Sequence, residues 1–364
     1  MSEDRSVPPL RIAVFGAGSI GCRLGGALAA VADVTLIGRP DAMAELDRTG
    51  LTLTGPGDRR VHVRPATAVD ASAAAGADYV LVTVKSADTA GAARALAPHL
   101  DARTTVISFQ NGLHNAELLA AALPDRQVLA GMVPYNVVRT GAAAFHQGTD
   151  GRLMLERTAA AEQPAAPEQP PAGRAPARRS SPAERFAELA RAAGLPVELR
   201  DDMPQVQAAK LLLNLNNAVN ALSGRPLREQ LGSRPYRLVL ARCQREGLAA
   251  LRAAGLAPAR LGPVPAGWMP AVLGLPDGLF RRLAAASLRV DAQARSSMWE
   301  DLQRGRRTEI GELQGEVLAL AERHGLAAPA NRRLLELVRA AESAPAPPSW
   351  SGPELLAALD DQEV

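Results

Sequence analysis

Between residues 11 and 156, short apolar runs alternate with alanine-rich stretches of helical period. RIAVFG (11–16), VTLIGR (34–39), DYVLVTVK (78–85) and TTVISFQ (104–110) are unbroken and rich in β-branched residues. That is the pattern of strands covered on both faces in a parallel sheet. Between them, GCRLGGALAAV, DTAGAARALAPHL and HNAELLAAAL repeat apolar positions every three or four residues. Such alternation predicts an α/β, doubly wound parallel sheet. GRLMLE (151–156) and LPVELR (195–200) predict two more strands. The Pro-, Ala-, Gln- and Arg-rich stretch between them, about 157–182, has no period and is expected to be a disordered surface insertion. After Gln205 the pattern changes. QAAKLLLNLNNAVNAL, YRLVLARCQREGLAALRAAG, LFRRLAAASLRVDAQARSSMWEDL and TEIGELQGEVLALAERHG carry helical spacing, and no strand stands out. The expected organisation is a sheet domain over 8–203, an all-helical domain over 204–342 and a flexible tail over 343–364.

Composition narrows the class. A chain of 364 residues can bury two cores. No window approaches the roughly 18 to 20 apolar residues of a membrane span, and the polar start MSEDRSVPPL is unlike a secretion leader, so no membrane partner and a cytoplasmic setting are expected. A net charge of +3 and 3% aromatic residues argue against a nucleic-acid partner. Cys22 and Cys243 lack metal-type spacing and are expected to be reduced, packed thiols; no metal is expected.

Candidate chemistry begins at the end of the first strand. Gly16, Ala17, Gly18, Ser19, Ile20 and Gly21 form G-A-G-S-I-G, leading directly into a helix. In a dinucleotide-binding turn of the Rossmann type, the first glycine makes the bend, the second lets pyrophosphate approach and the third permits close helix–strand packing. The helix N-terminus then offers free N–H groups to the phosphates. About 20 residues on, at the end of the second strand, an NAD site places a carboxylate. Arg39 stands there instead, and a guanidinium can pair with a 2′-phosphate, so NADPH is the expected cofactor. Lys85 and Asn111 follow two later strands, where ligands of open parallel sheets sit.

In the helical half, Lys210 and Asn214 are four residues apart in K-L-L-L-N and share a helix face among apolar neighbours. Ser297 lies in S-S-M, and Glu309 in R-R-T-E opens an amphipathic helix. By itself, Glu309 reads as a first-turn carboxylate on a solvated face.

Together G-A-G-S-I-G, L-V-T-V-K-S, Q-N-G, K-L-L-L-N, A-R-S-S-M-x-x-D-L and G-R-x-T-E-I, in that order, resemble the ketopantoate reductase (2-dehydropantoate 2-reductase) family over about residues 10–340. The resemblance implies NADPH-dependent reduction of a 2-oxo acid, with ketopantoate giving pantoate for coenzyme A precursors. It implies Lys210 as general acid, Glu309 holding the substrate hydroxyl, and Ser297 on the substrate carboxylate. It also implies Asn214 at the site, and Lys85 and Asn111 in the cofactor and substrate cleft. A further family asparagine has two candidates, Asn217 and Asn220, and spacing does not choose between them. The usual T-E-I-D reads Thr308-Glu309-Ile310-Gly311, and 256–290 is longer than in short relatives. A lysine screened from water has its pKa lowered toward neutrality, suiting it to donate a proton, and a nearby carboxylate would hold the ammonium. Competing readings are a paralogue acting on another 2-oxo acid and a non-catalytic NADPH-binding protein. The apolar helical domain is a candidate homodimer surface.

Overall fold

The computed structural model describes residues 9–55, 57, 60–157, 180–283, 294–347 and 349–360. Its strands are β1 (Arg11–Phe15), β2 (Asp33–Ile37), β3 (Leu51–Thr54), β4 (Arg60–Val63), β5 (Ala66–Ala68), β6 (Tyr79–Val82), β7 (Thr105–Ser108), β8 (Gln127–Met132), β9 (Val137–Gly141), β10 (Ala144–Gln147), β11 (Leu153–Glu156) and β12 (Val197–Arg200). Helices α1 (Ser19–Leu28), α2 (Pro40–Thr49), α3 (Thr89–Leu96), α4 (Asn115–Ala122) and α5 (Pro182–Ala192) accompany them. Then come α6 (Met203–Asn214), α7 (Asn216–Ser223), α8 (Leu227–Gly232), α9 (Arg234–Ala253), α10 (Met269–Leu273), α11 (Asp277–Leu283), α12 (Ser297–Gln303), α13 (Ile310–Arg323), α14 (Pro329–Glu342) and α15 (Gly352–Asp360).

The main sheet runs β12-β11-β8-β7-β6-β1-β2-β5. Its pairings are parallel apart from β8 with β11, which is antiparallel. Because β1 pairs with both β2 and β6, the winding reverses there, and a crevice opens beyond the carboxyl ends of these two strands. The unbroken apolar runs are explained by burial of every residue of β6 and β7, between one core containing Leu81 and Ile107 and another containing Val80 and Val106. A second sheet, ordered β4-β3-β10-β9, was not expected from the sequence. Its four- and five-residue strands are too short for alternation to declare them. Leu51 and Leu53 of β3 press against α1 at Gly26, where any Cβ would lie within 2.6 Å of Leu51.

Among the described residues beyond 205 there is no strand, and one core built around Leu212, Val239, Val317 and Leu334 organises the helices. The run 207–222, which reads as one helix, is broken at Leu215 into α6 and α7. Carbonyls near the break are met from other helices: Gln314 donates to Leu215 O at 3.0 Å and Gln244 to Leu212 O at 3.1 Å. Buried Arg237 of α9 donates to Leu231 O and, in the longer 256–290 segment, to the carbonyls of Leu273 and Leu275, and stacks 4.1 Å from the Phe280 ring. Most of the expected insertion, 158–179, lies outside the described residues, as does 284–293.

The expected flexible tail is corrected in part. Leu355 and Leu359 of α15 enter the helical core, Tyr236 donates to Trp350 O at 2.7 Å, and Trp350 N donates to Leu222 O at 2.8 Å. The proline-rich stretch preceding α15 hid an amphipathic turn whose burial, roughly 1.5–3 kcal/mol per leucine, favours docking. Both cysteines are buried and free, and burial pushes the Cys22 thiol up to about 12.

Candidate active site

A cleft of about 1050 Å³ runs from the glycine turn, past the ends of β1, β6 and β7, to the walls formed by α6, α7 and α12. At its sheet end the G-A-G-S-I-G turn is shaped by contact. Gly16 has φ +108°, and a Cβ on it would come within 2.6 Å of the Val84 backbone. A Cβ on Gly21 would collide with Gly16 O and Thr83 Oγ1, so helix and strand could not approach this closely. Gly18 faces open space, with nothing nearer a Cβ than Gly16 O at 4.0 Å. That open cradle at the N-terminus of α1 suits a pyrophosphate. Arg39 precedes α2 and lines the same cleft.

Asn111 is held by its neighbours. Ser86 Oγ donates to Asn111 O at 2.7 Å, and Asn115 Nδ2 donates to Ser86 Oγ at 3.0 Å. Buried Thr89 donates to Asn115 Oδ1, and Gln110 Nε2 donates to Thr89, both at 2.7 Å. With its backbone carbonyl thus held, Asn111 bridges the two halves of the molecule through its side chain. Asn111 Nδ2 donates to Glu309 Oε2 at 3.0 Å, and Asn111 Oδ1 accepts from Asn214 Nδ2 at 3.2 Å. Glu309 is placed in turn by Thr308, whose N–H and hydroxyl both donate to Glu342 Oε1 at 2.7 Å. Burial raises the Glu309 pKa above its usual range, against the opposing hydrogen bond from Asn111.

Lys210 lines the cleft on α6, one turn before Asn214. Burial alone lowers its pKa to about 8. Among the described residues it has neither a hydrogen bond nor an ion-pair partner. The expected carboxylate beside it is therefore not a direct contact: Glu309 lines the same cleft but bonds to Asn111.

The two open asparagines part company. Asn217 lines the cleft. Asn220 is fully buried and does not reach it, donating to Arg225 O at 2.9 Å and accepting from Ser296 N at 2.8 Å. Asn220 as a substrate contact is thus corrected to a structural residue that seats the S-S-M turn. Ser296 caps α12 through Trp299 N, leaving Ser297 exposed in the cleft.

Lys85 also lines the cleft, but its ammonium is engaged across the gap, 2.9 Å from Asp301 Oδ2 and donating to Arg307 O. Asp301 is the aspartate of the S-S-M-x-x-D-L motif, to which the sequence attached no role. A second link joins His114 Nε2 to Glu316 Oε1 at 3.1 Å, and these two carboxylates, Glu316 first and then Glu117, raise the His114 pKa to about 9 against burial. Arg139 and Arg306 line the cleft near Arg39 and were also missed, being single charges without local pattern.

A sheet crevice with a glycine cradle, facing a helical wall with a depressed-pKa lysine, defines a two-part dinucleotide-dependent oxidoreductase arrangement. Comparison with known proteins makes the class specific. Residues 12–159 match the model of ketopantoate reductase PanE/ApbA, and 202–342 that of ketopantoate reductase PanE/ApbA C terminal. The 2-dehydropantoate 2-reductase of Halobacterium salinarum is 31% identical over 336 residues, covering 92% of this chain and 99% of that one. A PanE/ApbA family ketopantoate reductase from Ralstonia eutropha JMP134 superposes with a TM-score of 0.74 at 31% identity, covering 92% and 98% of the two chains. A D-mandelate dehydrogenase, whose ternary structure holds NADH and anilino(oxo)acetate, shares the fold with a TM-score of 0.73 at 18% identity, covering 92% and 98%. The chain belongs to the ketopantoate reductase PanE/ApbA family, and is an oxidoreductase acting on CH–OH groups. Among the described residues no helix is long and apolar enough to cross a membrane.

Proposed function

We propose that this protein reduces ketopantoate to pantoate with NADPH, using Lys210 as the general acid, and so serves the supply of coenzyme A precursors. The observation that carries the reading is Lys210 itself: an unpaired lysine with a pKa of about 8, in the same cleft as the glycine cradle and Glu309. The open face of Gly18 fits a dinucleotide pyrophosphate, and Arg39 fits a 2′-phosphate. When bound, the nicotinamide supplies the hydride. The charge that develops on the ketone oxygen is neutralised by the proton of Lys210, whose pKa near ambient pH suits it to give up that proton. Glu309 spends one carboxylate oxygen on Asn111 and keeps the other for the nascent hydroxyl. Ser297 and Asn217 supply polar partners for the substrate's carboxylate end. The Lys85–Asp301 bridge joins the two walls of the cleft.

A second 2-oxo acid is favoured by one feature. The cleft continues past Asn217 to Leu227 and Arg295, which leaves room for a bulkier substrate. NADPH absorbance decay with ketopantoate, alongside a panel of branched and aromatic 2-oxo acids, tests both readings. Ketopantoate is expected to show the highest kcat/KM. A panel member tenfold better would replace it, and no turnover with any would end the proposal.

A further inference from the structure

The loop between α12 and α13 carries Arg304, Arg306 and Arg307, and is pinned to the sheet half at two points. Lys85 Nζ lies 2.9 Å from Asp301 Oδ2 and donates to Arg307 O, bracketing the loop. Arg306 N donates back to Asp301 O at 2.9 Å, closing the turn at Gly305, which has φ +58°. Arg306 thus lines the cleft, as do Arg39 and Arg139 of β9. Two of the neighbouring charges are engaged: Arg304 reaches Glu300 at 3.4 Å, and Arg139 donates to Gly141 O at 3.0 Å. Neither Arg39 nor Arg306 has a side-chain ion-pair partner among the described residues. Burial, and after it the like charges of Arg39 and Arg304, lower the Arg306 pKa against the smaller opposing influence of Asp301, although a guanidinium stays protonated throughout. Two guanidinium groups on the lining of one cleft, neither held in an ion pair among the described residues, can receive a dianion, because a phosphate reached by both accepts from both forks.

We propose that Arg306, from the helical half, is the second arm of a clamp that closes with Arg39 on the 2′-phosphate of NADPH. This rests on the NADPH reading above. A nucleoside 2′-phosphate is favoured over the pyrophosphate because Arg39 precedes α2, at the end of β2, whereas the pyrophosphate cradle is Gly18 before α1. Because Arg306 and Arg39 belong to different halves, the phosphate would join them, and NADPH would close the cleft more firmly than NADH.

Isothermal titration of the full-length chain and its Arg306→Met and Arg39→Ala variants tests this with NADPH, NADH, 2′,5′-ADP and 5′-ADP. Arg306→Met is expected to weaken NADPH and 2′,5′-ADP about tenfold, to leave NADH and 5′-ADP within twofold, and to leave the thermal midpoint unchanged. Arg306→Lys, which keeps the charge but loses the fork, should fall between. Equal weakening of NADH and 5′-ADP would put Arg306 on the pyrophosphate and overturn the clamp. No change in any of the four overturns it as well. If Arg39→Ala lowers NADPH preference while Arg306→Met does not, the NADPH reading survives and the clamp fails. If neither variant separates NADPH from NADH, both fall.

Discussion

Asn111 and Glu309, 198 residues apart in the chain, meet at 3.0 Å across the cleft. The bond ties a loop at the end of β7 to the residue preceding α13, and leaves one carboxylate oxygen of Glu309 uncommitted. Replacing Glu309 by Gln keeps the shape but removes the charge that accepts from the substrate. Hydrogen bonds to charged groups are worth about 1.5–3 kcal/mol, so Glu309→Gln should lower kcat/KM by about 10- to 100-fold. NADPH affinity, measured by fluorescence titration, should change little. A variant with full kcat/KM would remove Glu309 from the reaction.

Among the described residues Lys210 has no partner whose loss would disturb the fold, so Lys210→Ala isolates its chemistry. General acid catalysis supplies about 10²–10⁴-fold, and kcat should fall within that range while NADPH still binds. Turnover at the normal rate would sink the assignment.

The pH dependence follows from the same group. Reduction needs Lys210 protonated, and its pKa is about 8, so kcat/KM should fall about tenfold per pH unit above that value. Oxidation of the hydroxy acid needs the free amine and should rise through the same pH. Profiles of both directions check the sign, and parallel profiles would contradict it.

Arg39→Ala should narrow the NADPH-to-NADH ratio of kcat/KM by about tenfold, as expected for loss of a charge-assisted bond to phosphate. Steady-state assays with both dinucleotides measure it; an unchanged ratio would take Arg39 out of the site.

Leu355 of α15 is fully buried in the helical core, so α15 is part of the fold. Leu355→Ala should cost about 2–5 kcal/mol, read as a lower urea midpoint. A midpoint equal to that of the unaltered chain would mean that α15 is not docked.

Much of the site was legible because it is encoded locally. A glycine turn between a strand and a helix carries its own geometry, and K-L-L-L-N sets Lys210 and Asn214 on one face whatever surrounds them. Asp301 and Arg306 carried no such signature, since each gains its meaning from a residue more than 200 positions away. Asn217 and Asn220 were indistinguishable for a different reason. The break at Leu215 resets the helical phase, and only the packing of α12 on α7 turns Asn220 inward to Ser296.

Taken alone, the sequence determined the alternation of strand and helix, the glycine cradle, the expected cofactor arginine and the family motifs, because period and turn chemistry act over a few residues. Tertiary structure decided that Lys210 stands unpaired among the described residues, that Asn111 rather than an ammonium meets Glu309, and that Lys85 bridges to Asp301. Those outcomes depend on desolvation and on contacts across the cleft, which exist only once the two halves have folded against each other.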